Sequence, residues 1–301
     1  MPYPSTPAPV QSVARRPAAC AGVLLTVALV LLGALQAPPA AADPGTPRAA
    51  AATAHPHGTP RVTAAVLDLD GDTREPLVRG DDTPYDTASI VKLDILAALL
   101  LRAQDAGRPL TARERSLAEP MIEHSDNAAA NVLWRRIGGA PGLEAANRRL
   151  GLRATEGGPG RRWGLTRTTA SDQIRLLRAV FDDRAPGGGA PALHPGSRRY
   201  IRTLMSRVAP EQTWGVSAAS GSATALPGSA TALPGSATAL KNGWLRRSTT
   251  GLWDVNSVGR VTAGGHRYLV AVLSDGSATM DEGVAAVERT ARAAVASAAR
   301  A

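Results

Sequence analysis

The stretch Thr87-Ala88-Ser89-Ile90-Val91-Lys92, written TASIVK, runs into LDILAALLLRAQD at residues 93–105. The spacing predicts a helix from Ser89 to Asp105, with Ile90, Leu93, Ala97, Leu100 and Leu101 on one side and Gly107 near its end. Residues three apart share a helix face, so the Lys92 amine can reach the Ser89 hydroxyl. A serine hydroxyl is a weak nucleophile that needs a base. A lysine can supply one when burial and a second cation lower its pKa. The helix start adds backbone N–H groups that favour negative charge developing on a substrate. Ser three before Lys also arises by chance, and by itself it decides nothing.

The count of lysines gives the pair weight. Of 34 basic residues only two are lysines, Lys92 and Lys241. Either type can carry charge on a solvated surface, but arginine cannot give up its proton. Lysine kept in so arginine-rich a chain points to chemistry that needs an amine. Lys241 lies in LKNGWL, a short apolar run that reads as a strand. Between the two lysines stands Ser125-Asp126-Asn127, in EHSDNAAANVLWRRIGG. Alone, SDN reads equally well as a helix N-cap, and K-N-G as a strand end. In this order, and using both lysines, the three motifs form a set.

That set resembles the penicillin-recognising serine enzymes, class A β-lactamases especially, whose motifs are SxxK, SDN and KTG. AVLDLDGD before Ser89, SDNAAANVLWRRIGGAPGLEAANRRLGL, and TTASDQIRLL are similar to the same family, so the resemblance covers most of residues 61–300. It implies an α+β fold of the β-lactamase/transpeptidase type, an antiparallel β-sheet flanked by helices plus an all-helical subdomain. It also implies roles for individual residues. Ser89 would be the acylated nucleophile and Lys92 its base or proton relay. Ser125 would pass a proton to the leaving nitrogen, and Asn127 would orient the substrate amide and Lys92. Lys241 would hold Ser125 by a hydrogen bond and bring positive charge near the substrate carboxylate. The backbone N–H groups of Ser89 and Trp244 would form the oxyanion hole, with Asn242 and Gly243 completing the substrate-binding strand. The expected substrate is a β-lactam or a cell-wall peptide, taken by a monomer without cofactor or metal.

Four departures separate this sequence from the class A pattern. Ser125 follows Ser89 by 36 residues, well short of the family's interval. The loop TEGGPGRRWGLTRTT has Glu156 as its only acid and lacks the ExxLN glutamate that activates the deacylating water. Asn242 stands where KTG has a hydroxyl. The helix that usually precedes the first strand has no counterpart in the Pro-rich residues 43–60. The expected activity is an exported serine hydrolase opening β-lactam or related amide bonds through an acyl-enzyme on Ser89. A D-Ala-D-Ala peptidase and a binder that acylates and stops are the alternatives, because an acyl-enzyme persists when no base activates water.

Composition bounds the rest. A chain of 301 residues with 44% hydrophobic and 20% charged residues is ordinary for a globular protein. The net charge of +9 comes from scattered arginines with few aromatics and no nucleic-acid reader motif, which argues against a nucleic-acid partner. The five histidines form no HExxH, and one cysteine forms no CxxC. Residues 1–42 read as a signal peptide: Arg15 and Arg16, an apolar run from Ala21 to Leu35, then small residues at Ala40 and Ala42. The run is shorter than the roughly 20 residues of a membrane span. A secreted or envelope location follows, without stable membrane insertion after cleavage.

Residues 43–60 read as a flexible tether, and the hydrolase domain is expected over 61–301. VTAAVLDLD and EPLVRG predict a hairpin. Helical text continues at 111–124, 126–136, 141–150 and 169–182, and three strands and an Ala-rich helix follow Ala239. GSATALP is written at 221–227 and 228–234, and GSATAL again at 235–240. Gly and Pro in each copy forbid a long helix, so 221–240 reads as an expanded surface loop. Without two copies, the spacing from Ser125 to Lys241 matches the family's.

Overall fold

RVTAAVLD is rich in β-branched and small apolar residues, and Arg61–Asp68 forms strand β1 in the computed structural model, which describes residues 59–73, 75–184, 190–221 and 238–300. The expected signal peptide, most of the tether and nearly all of the GSATALP copies lie outside the described residues. β1 pairs antiparallel with β2 (Leu77–Arg79) on one side and β7 (His266–Asp275) on the other. Strands β6 (Trp253–Ala263) and β5 (Thr238–Arg246) extend the sheet, whose order is β2-β1-β7-β6-β5. A separate two-stranded ladder joins β3 (Tyr85–Asp86) to β4 (Arg167–Thr168).

Successive strand residues point to opposite faces, and both faces here are covered. Ala65, Leu67, Leu269, Ala271 and Leu273 enter one core; Ala64, Val66, Val270 and Val272 enter the other, against Val287 and Ala291 of the final helix α7 (Met280–Ala298). The central strands therefore read as nearly continuous apolar runs. The sheet flanked by helices, with a helical subdomain, is the architecture the sequence predicts.

That subdomain is built from α1 (Val91–Asp105), α2 (Ala112–Glu123), α3 (Asn127–Ile137) and α4 (Gly139–Leu150), with α5 (Ala170–Phe181) and α6 (Pro195–Met205) packed nearby. α1 departs from its one-sided reading. Every residue from Val91 to Leu101 is buried, Lys92 and Asp94 included, because α3, α4, α6 and the neighbouring elements surround it. Its first turn, Ala88–Ile90, is a 3-10 turn and not part of the α-helix. α6 was absent from the sequence reading, since PGSRRYIRTLM buries only Arg198, Ile201, Leu204 and Met205 and its arginines mask the period. Among the described residues no helix is long and apolar enough to cross a membrane.

Candidate active site

The turn carrying Ser89 is held from the sheet. Asn256 on β6 donates its amide to Asp86 O (2.9 Å) and Thr87 O (3.2 Å), while its own oxygen accepts from Ser274 N (3.0 Å). Ala88 then takes φ +47°, a left-handed conformation that costs a non-glycine residue about 1–2 kcal/mol. Strand β5 passes so close that a Cβ on Gly243 would lie 2.7 Å from Ser89 N, Ile90 N and Thr87 O. Only a residue without a side chain fits there. Ser89 remains partly exposed on the cleft side.

The second motif is held by a locked turn between α2 and α3. Pro120 O accepts from both His124 N (3.1 Å) and Asp126 N (3.0 Å), and Ser125 takes φ +56°. Asp126 caps α3, accepting from Ala129 N at 2.6 Å, which sets Asn127 at the first helical position. His124 is the exposed C-cap residue of α2.

Both lysines converge on Ser125. Lys92 Nζ lies 3.0 Å from Ser125 Oγ, 2.6 Å from Ser125 O and 2.7 Å from Asn127 Oδ1. Lys241 Nζ lies 3.1 Å from the same Ser125 Oγ and 3.0 Å from Asn242 O. Both side chains are fully buried. Burial pushes the Lys92 amine down to about 7, against a smaller opposing pull from the Asp126 carboxylate. Lys241 is also lowered, by burial first and by the charge of Lys92 second. A neutral Lys92 can accept the Ser125 hydroxyl proton while that oxygen accepts from Lys241. A proton path therefore runs from one amine to the other through one hydroxyl. No described hydrogen bond joins Lys92 to Ser89; the amine is turned to Ser125 and Asn127.

Ser89, Asn127 and Trp244 line one cleft of about 500 Å³. Trp244 packs edge-on against Trp214, ring centroids 5.9 Å apart. Asn242 is not brought to this cleft. It shares a face of β5 with Trp244 but is buried beneath the segment at Gln212–Trp214, where its amide donates to Gln212 O (2.9 Å) and Trp214 O (3.0 Å). The carbonyl Oδ1 has no hydrogen-bond partner among the described residues. Arg247 pairs with Asp86 of β3 and with Asp254 of β6 (2.6 Å), and Arg246 donates to Gly251 O (3.1 Å), so Arg246 holds the β5–β6 turn and Arg247 ties it to β3.

Several residues of the cleft carry no motif in the sequence, Arg161, Trp163 and Asn131 among them. Arg161 and Trp163 come from the loop that lacks ExxLN, and Asn131 lies one helical turn beyond Asn127. Helical spacing from SDN was a signal for Asn131, whereas nothing in the loop text marks Trp163. The indole N–H of Trp163 donates to Asn131 Oδ1 (2.8 Å), and its ring centroid lies 4.8 Å from Lys92 Nζ. Glu156 is exposed, bridges to Arg167 through its backbone, and does not line the cleft.

A sequence model of the beta-lactamase enzyme family matches residues 104–298, which include Ser125 and Lys241 and begin after Lys92. Curated relatives include the candidate lipoproteins named LppW from Mycobacterium tuberculosis and Mycobacterium bovis. They are 32% identical over 129 residues, 43% of this chain. The match spans 40% of those relatives' length. Among solved structures, PBP-A, captured as an acyl-enzyme complex with penicillin G, aligns with TM-score 0.60 at 22% identity, over 80% of this chain and 90% of its own. The TLA-1 extended-spectrum beta-lactamase aligns with TM-score 0.60 at 16% identity, over 78% and 92%. A beta lactamase from Burkholderia vietnamiensis gives 0.61 at 21%, over 81% and 93%. At these identities the likeness is one of fold.

Proposed function

Because the chain belongs to the beta-lactamase enzyme family, we propose that it is an exported serine hydrolase acting on β-lactam or related amide bonds through an acyl-enzyme on Ser89. One observation carries this reading: two fully buried lysines meet at the Ser125 hydroxyl beside the cleft that Ser89 faces. Burial disfavours the charged form of an amine, so Lys92 can take a proton near neutral pH.

In the proposed cycle Lys92 turns from Ser125 to Ser89 when substrate fills the cleft, and takes the hydroxyl proton. Ser89 Oγ adds to the amide carbon, and the backbone N–H groups of Ser89 and Trp244 receive the developing oxyanion. The C–N bond then breaks as Ser125 gives its proton to the leaving nitrogen, and Lys92 or Lys241 restores it. Asn127 orients both amide and amine, and Lys241 supplies positive charge for the substrate carboxylate. Export is supported by the Arg-Arg and apolar pattern of residues 15–35 and by the naming of its LppW relatives as candidate lipoproteins.

The full chain mixed with a chromogenic cephalosporin tests this reading, with colour change and protein mass followed together. A covalent adduct on Ser89 that Ser89→Ala abolishes is expected. No adduct with β-lactams or with D-Ala-D-Ala peptides sinks the assignment. A peptidase-like enzyme or a binder that stops at the acyl-enzyme is the second reading. It is favoured by one feature, that no carboxylate is among the described residues lining the cleft.

A further inference from the structure

We propose that Trp163 seals the acyl site of Ser89 against hydrolytic water, so that the acyl-enzyme is long-lived. This rests on the reading of Ser89 as the nucleophile. It assigns the slow step to a specific residue as well as to a missing base.

Geometry makes Trp163 a fixed wall. Its 3-10 turn, Trp163–Leu165, is tied to the nucleophile's own turn by Thr87 N to Thr166 O (2.8 Å) and by Thr87 Oγ1 to Gly164 O (3.5 Å). Asn131 on α3 holds the indole N–H at 2.8 Å. The turn is tied at its backbone, and swinging the ring aside would break its bond to Asn131 on α3 and its contact with Lys92 on α1.

The ring covers one side of Lys92, the amine proposed as base. It faces Lys92 Nζ at 4.8 Å, and the other directions around that nitrogen are filled by Ser125 O, Ser125 Oγ and Asn127 Oδ1. Among the described residues the cleft lining has no Asp or Glu. Hydrolysis requires a water oxygen to add to the ester carbon, its proton to reach a base, and the C–Oγ bond to break as Ser89 recovers a proton. An indole face accepts no proton in this exchange and occupies the space beside the amine that could.

The test is a gain of rate, which mere structural damage would not produce. The full-length wild type, Trp163→Ala and Asn131→Leu are each acylated with the chromogenic cephalosporin, freed of excess reagent, and followed by intact mass as the adduct decays. The adduct on Trp163→Ala should decay at least about tenfold faster than on the wild type, a readily resolved barrier change. Asn131→Leu, which frees the indole without removing it, should show a smaller acceleration, and it carries the test if Trp163→Ala does not fold. Decay within twofold of the wild type in the folded variants overturns the role of Trp163 and leaves Ser89 as nucleophile. Rapid turnover by the wild type does the same. No adduct on the wild type overturns both readings.

Discussion

Lys92 makes the sharpest residue-scale predictions, because its position joins burial to hydrogen-bonding partners. Its conjugate acid lies near 7 owing to burial. If the neutral amine is the base, acylation should slow about tenfold for each pH unit below 7 and level off above it. Stopped-flow acylation between pH 5 and 9 checks the sign; a rate that falls with rising pH would exclude Lys92 as base. Lys92→Arg keeps the charge but cannot accept a proton, so it should abolish adduct formation by mass spectrometry. The two-lysine count alone singles out this position for an amine. That the amine rests on Ser125 and Asn127, away from Ser89, is not legible there, because it depends on where the α2–α3 turn lands.

At the scale of elements, strand β5 and helix α2 act as the site's supports. Gly243→Ala would set a methyl 2.7 Å from three backbone atoms of the nucleophile turn. It should push β5 outward and cut acylation by about 100-fold or more, the penalty of a misplacement near 1 Å, with far-UV circular dichroism unchanged. In α2, Glu114 closes a capping box with Thr111 and pairs with Arg108 (2.8 Å) and with Arg136 on α3 (2.6 Å). Its carboxyl is held down at about 2, by the Arg108 hydrogen bond before any other cause. This depressed value stabilises the fold in full above about 4.5 and is lost as pH falls toward 2. Glu114→Gln should cost about 2 kcal/mol at neutral pH, below the usual cost of breaking a buried pair because both arginines are partly exposed. Urea melts at pH 7 and pH 3 check it, and the difference should shrink at the lower pH. The helices were legible from their periods and caps; the arginine-rich α6 was not, because its charged stems cover an apolar stripe of few residues.

For the whole molecule, the all-round burial of α1 has a cost. Asp94 is fully buried and one carboxylate oxygen has no partner among the described residues, while Asn147, once its amide is oriented with the nitrogen toward both acceptors, donates to Leu143 O (3.3 Å) and Asp94 Oδ1 (3.1 Å). Burial, then the charge of Asp172, raises the Asp94 carboxyl to about 8. The folded state thus holds a proton that the unfolded chain releases near 3.8, and stability declines as pH rises from about 4 toward 8. Asp94→Asn should raise stability by about 1–3 kcal/mol at pH 8 and by little at pH 4, which thermal melts at both values will show. A variant no more stable at pH 8 would mean that Asp94 is not held protonated.

Periodicity and motif spacing are written locally, so the strands, most helices and the order of the three motifs are legible in the sequence. Packing of distant segments fixes the Asn242 amide on Gln212 O and Trp214 O, where it is covered. Packing also lays Trp163, from the loop that lacks ExxLN, over Lys92. Those outcomes depend on which strand face is turned inward and on which loop closes over α1. Both are set by packing between residues far apart in the chain, for which no local pattern exists.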